Sequence, residues 1–219
     1  MKIIAIAPHP DDETLGCGGT LLKHRDASDD IYLVLVTTAG SEYSEEHINN
    51  KYKEIDNANE IFEFKTIFDL GFPVTHIGSI DISEIIGKLM DTFKLVGPDI
   101  IYVPFPYDIH TDHQVVFDAV SSCTKWFRIP TLKRILAYET ISETDFIIRP
   151  GPSFIPNVFV NIEDHIDKKI EAMKCYASEI AMPPFPRSEE NIRALATLRG
   201  STSGFKAAEA FMLLKEIDE

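Results

Sequence analysis

Cysteine is scarce in this chain. There are three, Cys17, Cys123 and Cys175, odd in number and widely spaced, which excludes a disulfide framework and any Cys-x-x-Cys zinc site. They read as reduced, buried thiols. Positive charge is short as well: 21 Lys and Arg against 35 Asp and Glu leave a formal net charge of −14. Such a surface disfavours a phosphate backbone or an anionic membrane, so no nucleic acid partner is expected. No apolar run approaches the ~20 residues that cross a bilayer. The first residues, one lysine and a short apolar run that breaks into acidic residues, do not read as a signal peptide, and a cytoplasmic location is expected. Also lacking are a Pro/Gly/Ser-rich linker, an internal repeat and low-complexity sequence. With 219 residues at 44% hydrophobic composition the chain can bury one sizeable core, and we expect one domain over residues 1–219.

What the sequence does have is alternation. Short apolar runs predict strands over 3–7, 31–37, 66–70, 99–103, 134–138 and 158–160. Between them, helical spacing predicts a helix capped by Thr14, and others over 46–62 (Ile48, Tyr52, Ile55, Ala58, Phe62), 82–95, through Val115, Val116 and Val120, 164–178 and 189–198. A last helix is expected over 206–217, with Ala207, Ala210, Phe211 and Leu214 on its apolar face. Strand and helix in turn give an α/β fold with parallel crossovers, whose ligands bind beyond the carboxyl ends of the strands.

Two strand ends carry chemistry. The first strand runs into Pro8-His9-Pro10-Asp11-Asp12-Glu13, where clustered carboxylates repel one another unless a cation sits nearby. The fourth runs into a loop ending in His110-Thr111-Asp112-His113. Three nitrogen and oxygen ligands with a fourth position left for water mark a catalytic zinc site, and His9, Asp12 and His113 can supply them. Adjacent aspartates on an extended turn point in different directions, so Asp12 can face the ion while Asp11 faces the water. His24, His47, His76 and His165 lack such surroundings and read as ordinary surface or packing histidines. Gly16, Gly18 and Gly19 fall short of a dinucleotide fingerprint, and an acidic turn precedes them; close helix–strand packing explains them.

On Ala7-Pro8-His9-Pro10-Asp11-Asp12-Glu13, the following Gly18-Gly19-Thr20, His110-Thr111-Asp112-His113, and the terminal Arg199-Gly200, Gly204 and Ala208-Glu209-Ala210-Phe211, the sequence resembles the PIG-L/LmbE-like family of zinc-dependent N-acetylglucosaminyl deacetylases. The resemblance runs from residue 3 to about residue 212. It implies a Rossmann-like three-layer sandwich with a mostly parallel sheet, binding one Zn²⁺ through His9, Asp12 and His113. By the same likeness Asp11 is the general base, and His110 stabilises developing negative charge or donates a proton, with Asp112 holding its ring. Many members place an arginine on the helix after the second strand, where Lys51 is the nearest equivalent. Some place a tyrosine two residues before the first histidine of the second motif, where Asp108 stands beside Tyr107. Lys51 and Asp108 are therefore the expected substrate contacts. The implied activity is removal of an N-acetyl group from an N-acetylglucosamine-type amino sugar or its conjugate, and the resemblance allows a homo-oligomer. Hydrolysis of another small amide and non-catalytic binding of a metal or sugar on the same fold stay open. Sugar recognition is expected from the loops at 38–46, 107–109, 140–156 and 182–189.

Overall fold

A computed structural model describes residues 1–38, 43–148 and 150–218. One seven-stranded sheet forms the centre: β1 (Lys2–Ala7), β2 (Asp30–Thr38), β3 (Thr66–Pro73), β4 (Ile100–Pro104), β5 (Arg134–Tyr138), β6 (Val158–Asn161) and β7 (Ala208–Glu216), in the order β3-β2-β1-β4-β5-β7-β6. β1 pairs with both β2 and β4 in parallel, β2 with β3 and β4 with β5 likewise, while β7 runs antiparallel to β5 and β6. Strand order therefore reverses between β1 and β4, the place where an open α/β sheet leaves a crevice.

Six helices cover the two faces: α1 (Asp12–Asp26), α2 (Glu45–Phe62), α3 (Ile82–Val96), α4 (Thr111–Cys123), α5 (Ile166–Cys175) and α6 (Glu189–Ser203). The period-two pleat of β1 sends Ile3, Ala5 and Ala7 toward α1, α2 and α5, and Ile4 and Ile6 toward α3 and α4. Both faces being buried, the central strands are apolar without a break, as parallel strands are. The three-layer, mostly parallel α/β architecture matches expectation.

Four details differ. Residues 206–217 are not a helix but the strand β7. Phe211 packs with one core layer, Met212 with the other and Leu213 with the first again, a strand's alternation hidden by the fact that both faces are covered. Thr14 lies inside α1, whose cap position is Asp11. α5 is shorter than expected, and α6 longer, ending where Gly204 takes a left-handed φ of 84°. The glycines of α1 do allow close packing: a Cβ on Gly16 would lie 2.1 Å from the Tyr138 ring.

Candidate metal centre and active site

The turn after β1 is held by its own polar groups. His9 N donates to Asp12 Oδ2 at 2.9 Å, and Asp12 N to His9 O at 3.3 Å. Asp11 sits at φ 127°, a region that costs a non-glycine residue about 1–3 kcal/mol. What fixes it there is Glu13, fully buried, whose carboxylate accepts from Asp11 N (3.2 Å), Thr14 Oγ1 (2.6 Å) and Tyr176 OH (2.9 Å). Burial raises the pKa of Glu13, so its hydroxyl and amide donors stand in for a cation. Farther along, α1 breaks at Cys17 (φ −140°, ψ 16°). Across the break Glu209 of β7 accepts from Gly19 N and Thr20 N at 2.8 and 2.7 Å, and Lys169 Nζ bridges Leu15 O and Glu209 Oε1 at 2.8 and 2.7 Å. The break turns the first helical turn, with Asp12 and Glu13, toward the crevice.

The second loop arrives from β4. His110 caps α4, its Nδ1 accepting from Asp112 N at 3.1 Å, which leaves Nε2 as the N–H of a neutral ring. Burial and neighbouring His9 lower the His110 pKa to about 4, consistent with that tautomer. One turn on, His113 Nε2 stands 3.2 Å from Asp12 Oδ2, and His9 Nδ1 stands 3.2 Å from the same oxygen. The three donor atoms of His9, Asp12 and His113 all lie within 4.8 Å of one another. Two segments about a hundred residues apart thus converge where the strand order reverses.

Carboxylates stand behind both histidines. Asp108 Oδ2 is 2.8 Å from His113 Nδ1, and Asp112 Oδ2 is 3.1 Å from His9 Nε2. Each carboxylate takes the N–H of its ring and aims the other nitrogen's lone pair at Asp12, the outer-shell arrangement of metal-binding histidines. The residues fit a divalent ion: His113 Nε2 is buried and has no hydrogen-bond partner among the described residues. Burial lowers the pKa of both histidines, but for His9 the Asp112 and Asp12 hydrogen bonds outweigh it and raise the value to about 9, and for His113 the charge of Asp12 outweighs it. Burial raises Asp12, and His113 overcomes that and lowers it. The cluster thus draws positive charge to itself. His9, His110 and Asp112 form a second close group, but its donors are engaged: Asp112 Oδ2 also accepts from Thr75 N at 2.8 Å, and His110 Nδ1 is used by the cap.

Two expected roles are corrected. Asp108 does not face a substrate: it is fully buried, with His113 on one oxygen and Thr144 Oγ1 on the other at 2.6 Å. Asp112 holds the ring of His9; toward His110 it offers its backbone N–H. Lys51 does line the cavity, but its ammonium reaches Ser178 Oγ and Glu179 Oε1 at 3.1 Å and Glu54 Oε2 at 3.0 Å, which occupies its three donors.

The cavity over the cluster measures about 270 Å³. Asp11 reaches it with its carboxylate gripped at Oδ2 by Arg187 Nη1, 2.9 Å away, and Arg187 in turn lies 3.2 Å from Glu179. Burial and then the Asp12 charge raise the Asp11 pKa well above its ordinary value, against the pull of Arg187. Tyr43, Glu143 and Arg187 bring three of the four expected recognition loops to the wall, and His47, stacked on Tyr43 at 4.6 Å between ring centroids, joins them. Residues 39–42 of the first loop and residue 149 of the third lie outside the described residues. The fourth loop stays away, Tyr107 and Ile109 being exposed at the surface. Sequence reasoning missed Arg187, Glu13, Tyr176 and Glu143 as residues of the site; Arg187 had one signal, as the only cation between 182 and 189.

The family model for GlcNAc-PI de-N-acetylase, PIG-L, matches residues 4–124, more than half the chain and both ligand-bearing loops. The chain belongs to the PIG-L family. It is 26% identical over 235 residues to the diacetylchitobiose deacetylase of Thermococcus kodakarensis, covering 99% of this chain and 84% of that one. It is 30% identical over 182 residues to an uncharacterized deacetylase of Escherichia coli, YaiS, covering 80% of this chain and 90% of that one. The conserved protein TT1542 from Thermus thermophilus shares the PIG-L fold at a TM-score of 0.80 and 24% identity, over 99% of this chain and 96% of that one. No helix among the described residues is long and apolar enough to cross a membrane.

Proposed function

We propose that this PIG-L protein is a zinc-dependent hydrolase that removes the N-acetyl group from an N-acetylglucosamine-type amino sugar or its conjugate, the whole chain acting as one domain. The reading is carried by one observation: His9, Asp12 and His113 converge with Asp11 at the floor of one cavity. His9 Nδ1, Asp12 Oδ2 and His113 Nε2 would hold the ion. Bound there, it lowers the pKa of water toward ~7 and polarises an amide carbonyl.

The chain's own groups supply the rest. Arg187 holds Asp11 Oδ2 and leaves Oδ1 to accept a proton from the attacking water. Attack on the acetamide carbon makes a tetrahedral oxyanion, toward which neutral His110 presents Nε2–H. Removing such a donor costs about 3 kcal/mol in other enzymes. Asp11 then returns the proton to nitrogen as the C–N bond breaks, releasing acetate and the free amine. The deacetylase relatives support this reading over hydrolysis of another small amide, and the retained Asp11 supports it over mere binding, which needs no base. Three free cysteines accord with a cytoplasmic location.

Metal analysis with an amine-release assay tests it. Asp11→Ala keeps zinc and loses turnover, whereas His113→Ala loses both. Zinc content unchanged by replacing His9, Asp12 and His113 refutes the ligand assignment.

A further inference from the structure

The ionisable groups around the cavity are unevenly balanced. Asp11, Asp12, Glu143 and Glu179 line it with carboxylates, against the cations Lys51 and Arg187. A divalent ion brings that lining to neutrality and no further, and Asp108 and Asp112 lie buried just behind. Neither cation is available to an anion. Lys51 has a protein acceptor for each of its three N–H groups, and Arg187 is clamped between Asp11 and Glu179. Recognition of a phosphate or carboxylate needs an uncommitted guanidinium, ammonium or helix N-terminus, and among the described residues the lining offers none.

Glu143 is the opposite case. It is half-buried at the cavity wall, and its carboxylate makes no hydrogen bond or ion pair among the described residues. Its place is nevertheless fixed. Glu143 N donates to Thr140 O and Glu143 O accepts from Ile109 N, each at 3.1 Å. Neighbouring Thr144 donates to Asp108, the carboxylate that orients His113. The recognition loop is thereby held in register with the ion site, and what it presents there is an unsatisfied acceptor carrying negative charge.

Resting on the deacetylase reading above, we infer that the cavity selects uncharged N-acetylamino sugars and glycosides, and that Glu143 is a specificity residue, accepting sugar hydroxyls and turning away phosphate- or carboxylate-bearing conjugates. A hydroxyl completes the hydrogen bonding of Glu143, and an anion within a few ångströms of it meets like charge with no counter-ion to relieve it.

The test compares amine release by the zinc-loaded protein from N,N'-diacetylchitobiose and methyl N-acetylglucosaminide with release from N-acetylglucosamine 1-phosphate and its uridine diphosphate conjugate. The expected kcat/KM ratio favours the uncharged pair by at least about tenfold, one decade being ~1.4 kcal/mol of differential binding. Glu143→Gln keeps the amide's hydrogen bonding but removes the charge, and is expected to shrink the ratio severalfold. Phosphorylated sugars turned over as well as neutral ones, or a ratio unmoved in Glu143→Gln, overturns the inference. If no compound releases amine, the deacetylase reading fails by itself. Calorimetric binding of methyl N-acetylglucosaminide and N-acetylglucosamine 1-phosphate to the same protein then decides the charge preference: tighter binding of the neutral sugar upholds it, and equal or tighter binding of the phosphate overturns it.

Discussion

Replacing Asp108 by asparagine separates two roles for that residue that differ in what they disturb. In the structure Asp108 is fully buried, 2.8 Å from His113 Nδ1 and 2.6 Å from Thr144 Oγ1. Asparagine is nearly isosteric, but it has one acceptor oxygen where the carboxylate has two, so its NH₂ confronts one of the two donors. Losing that buried hydrogen bond costs the fold about 1–3 kcal/mol. Losing the charge makes the His113 ring less basic, and outer-shell changes of this kind typically weaken metal binding 10–100-fold. That range is ~1.4–2.7 kcal/mol, at 1.36 kcal/mol per decade. Zinc Kd values from competition with a chromophoric chelator measure the second effect, and denaturant melts in EDTA isolate the first. The expected variant binds zinc at least about tenfold more weakly and, once saturated, shows a KM near that of the parent. An unchanged zinc Kd with a raised KM would refute the reasoning and return Asp108 to the substrate.

Two further perturbations probe the frame. Tyr176→Phe removes the 2.9 Å hydrogen bond to Glu13, and with it part of what holds Asp11 at φ 127°. Zinc content and KM should stay near those of the parent while kcat falls severalfold; a change confined to KM would place Tyr176 elsewhere in the mechanism. Gly16→Ala puts a Cβ 2.1 Å from the Tyr138 ring, whose hydroxyl is itself tied to Ile6 O at 2.7 Å. Overpacking of this kind costs typically about 1–3 kcal/mol, read as a lower denaturation midpoint, and an unmoved midpoint would show that the ring yields freely.

How much of this the sequence carries depends on how local each signal is. His9, Asp12 and His113 are legible because each sits in a short motif at the end of a recognisable strand, and β1 and β4 are hydrogen-bonded neighbours. Asp108 misleads because the direction of a side chain in a buried turn is set by what packs around it: its place in the chain suggested substrate, and its surroundings give it to His113. Arg187 reaches Asp11 across 176 residues of sequence, and no periodicity encodes such a meeting. β7 fails for a different reason. Its residues Ala207, Ala210, Phe211 and Leu214 fall on helical spacing, and a strand covered on both faces lacks the polar alternation that would contradict it.

The broken first helix bears on how the protein is made. Glu209 secures Gly19 and Thr20 from about 190 residues downstream, and Lys169 reaches back to Leu15 from 154 residues away. On the ribosome, the N-terminal turn therefore emerges long before the partners that set its direction. Capture of the ion in its finished geometry belongs to the end of folding, when nearly the entire polypeptide has been synthesised and its seventh strand has slotted between the fifth and the sixth.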